Sequence, residues 1–299
     1  NCLLTATCPV IMAPAMHTEM WLHPATQANV ATLRDRGVTV IDPAVGRLTG
    51  ADSGPGRLPE PEELAEAVRA VLRGGAATDL AGRRVVVTAG GTREPLDPVR
   101  YLGNSSSGRQ GWALAERARA RGADVVLIAA NVERAEPAGV RVINVVTAEQ
   151  MRQQAMAAAA DADAIVMAAA VADFRPESVS GEKIKKADDG AQPEPLALVR
   201  NPDILAQLCA ERRPGQVIVG FAAETAADRD RLLSLGRAKL ARKGCDLLVV
   251  NDVSEGKVFG AATNDTVIIG ADGAIVTEAA GRKDAVADAV WDAVLKRLP

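Results

Sequence analysis

From residue 84 to residue 250 the chain repeats one pattern, a short apolar run followed by a helix-length segment. The apolar runs lie at 84–88, 124–128, 164–168, 217–221 and 246–250, the helical segments at 111–121, 148–160, 202–210 and 228–243. Runs this short suit buried strands rather than buried helices. Strands that alternate with helices pair in parallel through crossovers. The pattern therefore predicts an α/β fold, an open, doubly wound, mainly parallel Rossmann-like sheet. Residues 265–277 read as a hairpin around "GADGA" and 284–297 as a closing helix. No repeat of solenoid length is visible.

Ahead of this pattern, residues 1–73 form a separate block: a strand in 8–14, a helix over 23–36, a strand at 37–42 and a helix over 59–73. The small-residue stretch 74–82 reads as a linker, leaving 83–299 as the second domain. The opening "NCLLTATCPVIMAP" starts in mid-element, so the N-terminus is expected to lie upstream. Aromatics are 2% of residues, so Ala, Val, Leu and Ile must build the cores. A net charge of −3 without a long basic run argues against nucleic-acid or membrane-surface binding. Apolar runs fall well short of the roughly 20 residues that span a bilayer. Cys2, Cys8, Cys209 and Cys245 match no common metal spacing and read as reduced thiols of a cytoplasmic protein.

In doubly wound sheets, ligands bind beyond the carboxyl ends of the strands. The segments found there are "AGGTREPLDPVRYLGNSSSG", "AAVADFRP", "AAET" and "NDVSEG", so small and polar residues converge on one edge. Ala89 to Gly108 reads as a long structureless loop, a kind usually kept for function. Gly90 and Gly91 permit a tight turn and close approach of a ligand. Ser106 and Gly108 precede a helix whose free amides favour phosphate, although a serine cap with flexible glycines has the same look. Arg100 reaches either a ligand or a surface acid, and the Asn104 amide offers both a donor and an acceptor. Met167 is followed by three alanines, which either leave room for a flat group or pack the core. Asp173 can hold Mg²⁺, hold a hydroxyl or cap a turn. The polar segment 177–195 reads as a solvated loop or as a lid bringing Lys183, Lys185 and Lys186 onto an anion. Lys239 and Lys243, spaced i,i+4, share one helix face and either grip a polyphosphate or face solvent.

"VTAGGTREPLDPVRYLGNSSSG", "AAVADFRP", "EKIKK", "NPDIL" and "VGFAAET" occur together and in order. They closely resemble the synthetase half of the bifunctional coenzyme A biosynthesis flavoproteins, phosphopantothenoylcysteine decarboxylase/phosphopantothenate–cysteine ligases. The first block, with "APAMHTEMW" and "GPGRLPEP", resembles the C-terminal part of the family's flavodoxin-like decarboxylase half.

The resemblance implies CTP-dependent ligation of 4′-phosphopantothenate with L-cysteine through an acyl-cytidylate, with Mg²⁺ on the triphosphate. In the full-length family proteins, FMN-dependent decarboxylation to 4′-phosphopantetheine follows. Carried over by residue, Met167, Ala168 and Ala169 would line the nucleotide and Asp173 contact it. Pro202, Asp203, Ile204, Leu205 and Phe221 would form the cytosine and ribose pocket. Lys239 and Lys243 match nucleotide-binding lysines, and Lys183 matches a lid lysine assisting acyl-cytidylate formation. Asn104 would bind the acyl-cytidylate, and Arg100 the pantothenate side across a homodimer interface in the ligase domain. A higher homo-oligomer is expected of the full-length protein. Ala13, Pro14, Ala15 and Met16 would give part of the FMN wall, with His17 and Met20 toward the decarboxylase substrate. The first block departs from the family pattern: His17 stands at the usual asparagine and Gly50 where many members carry cysteine. The family's catalytic histidine would lie upstream of Asn1.

Two other classes fit parts of the pattern. A strand, a Gly-Gly turn and a doubly wound sheet also suit an NAD(P)-dependent oxidoreductase. Against it, "ADVVLIAA" ends without the acidic residue that would hold an adenine ribose. A flavin-binding scaffold would instead place the chemistry in the first block.

Overall fold

The computed structural model describes residues 3, 5–48, 50, 53–72, 78–184, 195–252 and 263–299, in two units, Asn1–Ala77 and Thr78–Pro299. In the first, β1 (Ile11–Met12) leads through α1 (Thr18–Leu22) and α2 (Pro24–Asp35) to β2 (Thr39–Val40), its parallel partner. Pro24 at the first helical position and the His23 ring, which accepts the Ala25 amide at 3.2 Å, start α2. An antiparallel ribbon of β3 (Ala44–Arg47) and β4 (Ser53–Arg57) follows, then α3 (Pro61–Leu72). Its core among the described residues is small: Trp21, Val30 and Val40, with Met16, Leu33 and Val38 against them.

The second unit opens with β5 (Arg84–Gly90), the ribbon strands β6 (Arg93–Pro95) and β7 (Tyr101–Gly103), and α4 (Arg109–Ala120). It continues through β8 (Asp124–Ala130), β9 (Arg141–Val145), α5 (Ala148–Ala159) and β10 (Ala164–Met167). A second ribbon, β11 (Phe174–Pro176) with β12 (Leu198–Arg200), precedes α6 (Ile204–Glu211), β13 (Val217–Glu224), α7 (Arg229–Lys243) and β14 (Leu247–Asp252). The unit closes with β15 (Thr263–Gly270), β16 (Ile275–Arg282) and α8 (Lys283–Leu295).

Eight strands form one sheet in the order β16-β15-β14-β13-β10-β5-β8-β9. From β14 to β9 every pair is parallel, and β15 and β16 add antiparallel strands at one side. The chain winds outward from β5 to β8 and β9, then crosses to β10 and winds the other way. The topological switch therefore lies between β5 and β10. Alternating side chains feed two cores: Val85, Val87 and Ala89 join Trp112, Leu114 and Trp291 beneath α4 and α8. Val86 and Ile165 join Met151, Leu208 and Leu240 beneath α5 to α7. This two-sided burial is why the strands read as continuous apolar runs. The helices are punctuated locally: Thr147 and Gln150 make a capping box on α5, Asp203 and Asp228 cap α6 and α7, and Gly244 ends α7 at φ +72°.

The structure corrects one reading. The stretch from Ala89 to Gly108 is not a structureless loop: β5 continues to Gly90, and Arg93–Pro95 pairs with Tyr101–Gly103. Lys185, Lys186 and most of "NDVSEG" lie outside the described residues.

Candidate functional site

The close approach of α4 to the end of β5 creates the site, and three glycines allow it. Gly90 has φ +85°, and a side chain there would collide with the Ala130 carbonyl oxygen. Gly111 faces Ala89, where a Cβ would come within 2.5 Å of the alanine methyl. Gly108, at φ +70°, occupies the N-cap of α4 and donates its amide to Ser106 Oγ at 3.3 Å. The first turn of α4, with amides that lack helical partners, thus stands at the switch point.

Across the switch, the segment after β10 is held by buried threonines. Thr88 Oγ1 accepts the Ala169 amide at 3.1 Å, and Thr92 Oγ1 accepts the Ala172 amide at 2.9 Å. Gly91 bridges to Ala170, and the Ala170 amide donates to Gly90 at 2.8 Å. Asn104 Nδ2 donates to the Val171 carbonyl at 3.0 Å, and Asn201 Nδ2 to that of Ala172 at 2.8 Å. The three alanines are therefore a fixed small-residue shelf, with Met167 buried in the core below it.

A cleft of about 1020 Å³ opens over this shelf. Asn104, Ser106, Gly108, Met167, Ala168, Ala169, Asp173, Pro202, Asp203, Ile204, Leu205, Phe221, Lys239 and Lys243 all line it. Arg100 and Lys183 do not. Arg100 is paired with Asp97 at 2.6 Å and donates to the Ile184 carbonyl, which places Lys183, exposed, beside this pair. The cleft also contains Arg109, Gln110, Arg200, Arg242, Asn251 and Lys283, which the strand-end segments alone did not single out as ligand groups. Lys283 begins α8, far along the chain, and reaches the site because α8 packs on α4.

The cleft is cationic with a few matched acids. Lys239 Nζ lies 3.0 Å from Glu224, and Lys243 is ion-paired with Asp203. Burial raises the Asp203 carboxyl pKa, but the Lys243 ammonium and the Ala206 amide outweigh it and hold it below the usual range. Burial and the nearby Arg109 charge push the Lys283 ammonium below the usual lysine range. Asn251, 7% exposed, has an Oδ1 with no hydrogen-bond partner among the described residues, an acceptor left for a ligand donor. Asp173 is an exposed carboxylate, and the described residues contain no group of three or more His, Cys, Asp or Glu able to hold a metal.

In the first unit, Ala13, Pro14 and Met16 are half-buried, while Ala15, His17 and Met20 are exposed. The Met16 amide donates to Gly56 at 3.0 Å, and the buried Thr18 Oγ1 beside this turn lacks a partner among the described residues.

Residues 80–298 match the DNA/pantothenate metabolism flavoprotein C-terminal domain, and residues 1–73 match the flavoprotein family. The coenzyme A biosynthesis bifunctional protein CoaBC of Mycobacterium tuberculosis is 53% identical over 304 residues, covering 99% of this chain and 72% of that protein. Its namesake from Bacillus subtilis is 42% identical over 273 residues, covering 91% of this chain and 65% of that protein. A crystal structure of the C-terminal domain of a CoaBC protein matches 73% of this chain and 97% of that domain, with a TM-score of 0.60 and 30% identity. The chain therefore belongs to the family of bifunctional coenzyme A biosynthesis flavoproteins.

Proposed function

We propose that the cleft joins 4′-phosphopantothenate to L-cysteine using CTP, giving phosphopantothenoylcysteine, CMP and pyrophosphate. The observation that carries this reading is convergence: Asn104, Ala168, Asp203, Phe221 and Lys243, from separate segments of the chain, line one cationic cleft. The pantothenate carboxylate attacks the α-phosphorus of CTP. A carboxyl–phosphate bond forms as the bond to pyrophosphate breaks, and the electron pair leaves with pyrophosphate. The cysteine amine then attacks the acyl carbon, CMP departs, and the amine proton passes to solvent. Neither step needs a covalent enzyme intermediate, so positioning and charge stabilisation supply the catalysis.

Each residue has a place in this reaction. Pro202, Asp203, Ile204 and Leu205, with Phe221, take the cytosine and ribose, and the alanine shelf carries the flat nucleotide. Lys239 and Lys243 exchange their carboxylate partners for phosphate oxygens. Ser106 and the α4 amides face an anion, Asn104 holds the acyl-cytidylate, and Lys183 neutralises charge as the α-phosphate reacts. Asp173 would hold Mg²⁺ carried on the triphosphate, a mode that needs only one or two protein carboxylates. Val99, Tyr101, Phe174, Leu196 and Leu198 are exposed apolar residues on or beside the two ribbons of this unit. A second copy covering them supports a homodimer, with Arg100, between Val99 and Tyr101, reaching the partner's pantothenate.

In the first unit, Ala13, Pro14, Ala15, Met16 and the unpartnered Thr18 hydroxyl fit one wall of an FMN site, with His17 and Met20 toward its substrate. Bound there, FMN would supply the redox chemistry of the decarboxylation.

The test is product formation with each nucleoside triphosphate. Phosphopantothenoylcysteine and CMP formed in equal amounts with CTP are the expected result. No product with any triphosphate would overturn the reading.

A further inference from the structure

The Asp97 side chain is fully buried although it lies in a surface connection between β6 and β7. A carboxylate in such a place must be compensated by hydrogen bonds and an opposite charge. Its Oδ1 accepts the amides of Val99 and Arg100, both at 2.8 Å. Its Oδ2 accepts Arg100 Nε at 3.0 Å, Arg100 Nη2 at 2.6 Å and the Ile184 amide at 3.1 Å. Arg100 Nη2 also donates to the Ile184 carbonyl at 2.8 Å. One ion pair therefore holds both backbone groups of Ile184. A second anchor lies just upstream, where the Ser180 amide donates to Leu96 at 3.0 Å. Lys183 stands between the two anchors, exposed.

We propose that Asp97 is a positioning residue of the ligation: its carboxylate fixes the Arg100 guanidinium and, through Ile184, the backbone that carries Lys183. This rests on the ligase reading above, and it assigns a role to a residue that touches none of the reactants. Arg100 keeps half of its side chain exposed, and its Nη1 has no partner among the described residues. The guanidinium is thus oriented without being used up, as a bidentate anion contact requires. The Arg100 charge holds the Asp97 carboxyl well below the usual carboxylate range, so the clamp stays charged throughout the neutral range. An asparagine keeps the shape but offers one acceptor oxygen and an NH₂ group. It cannot receive the amides on one side and the guanidinium with Ile184 on the other.

The experiment compares Asp97→Asn, Lys183→Ala and the double variant in the full chain. Measured are amide product per turnover, the CTP-induced rise in melting temperature, and hydrogen exchange at the Ile184 amide. Asp97→Asn should lower kcat by about tenfold while CTP affinity changes by less than about twofold, a loss confined to the reacting state. Exchange at Ile184 should accelerate, since its acceptor is weakened. On top of Lys183→Ala, the same change should cost less than about twofold, the signature of residues acting as one unit. Wild-type kcat in Asp97→Asn, unchanged exchange at Ile184, or a full tenfold loss added to that of Lys183→Ala would each overturn the proposal. The exchange readout separates this from failure of the ligase reading, because it needs no turnover, whereas absence of wild-type product tests that reading alone.

Discussion

At the amino ends of β5, β8 and β10, Arg84 is surrounded by acids: Asp124 at 3.0 Å, Asp161 at 3.1 Å, and Asp163, which accepts its amide at 2.8 Å. At the carboxyl ends of the same strands stand Gly90, Ala130 and Met167, followed by glycines, alanines and a threonine-held shelf. Both edges are hollowed, to about 480 Å³ at the amino edge and about 1020 Å³ at the carboxyl edge. The amino hollow is lined by arginines and aspartates, among which Arg83 and Arg84 pair with Asp163, Asp124 and Asp161. The carboxyl cleft combines backbone within reach, a helix start, unmatched acceptor capacity at Asn251 and cations able to change partners. A hollow becomes a site when its polar groups are incompletely satisfied by the protein itself.

Breaking the carboxyl edge should cost the most. Lys183→Ala is expected to slow pyrophosphate release in the first half-reaction by roughly a hundredfold, the usual loss of one charge partner in the transition state. CTP binding, read as a melting-temperature shift, should fall less. Next in size, Asn104→Asp replaces an amide donor with a carboxylate beside phosphate. It should still fold and bind CTP, yet form roughly tenfold less amide product, as expected for a lost hydrogen bond to a charged group. At the amino edge, Arg84→Ala should leave the rate of product formation unchanged. Its stability cost, from urea midpoints, should be below about 1 kcal/mol, because Arg84 is half-exposed and Asp124 and Asp161 are mostly exposed. A tenfold loss of rate in Arg84→Ala would erase the distinction between the edges.

The smallest effect is a titration. In the first turn of α5, the Arg152 guanidinium and the Gln153 amide lower the Glu149 carboxyl pKa to about 2, against burial, which raises it. A depressed acid stabilises the fold above its unfolded pKa and loses that contribution as pH falls through the folded value. The urea midpoints of wild type and Glu149→Gln should therefore differ slightly at pH 6 and converge as pH falls from about 4 toward about 2.

The strands at 84–88, 124–128, 164–168, 217–221 and 246–250 were legible because both sheet faces are covered, so their interior positions are apolar. β9 escaped because it lies at the sheet edge and its residues are partly exposed. The two ribbons of the second unit escaped because three residues carry no period, and their apolar side chains lie largely on the surface. In the site, glycines and loop lysines announced themselves by type and spacing. Asn251 lay in "NDVSEG" at the expected edge without being singled out, while Arg109 and Lys283 did not announce themselves, since only packing decides which helix end meets which strand end. Asp97 was not singled out in the sequence, because its hold on Ile184 depends on a fold contact that no local pattern contains. Arg100, expected at a ligand, is anchored to that same aspartate.

The central claim, that the carboxyl-edge cleft activates a carboxylate with CTP, is tested most directly by single-turnover pyrophosphate release without cysteine. With CTP and 4′-phosphopantothenate the chain should release about one pyrophosphate per active site, since the acyl-cytidylate cannot go on to amide without the amine. Lys239→Ala with Lys243→Ala should remove that burst, while Arg84→Ala keeps it. Absence of the burst in the wild-type chain, or its survival in the double lysine variant, would contradict the account.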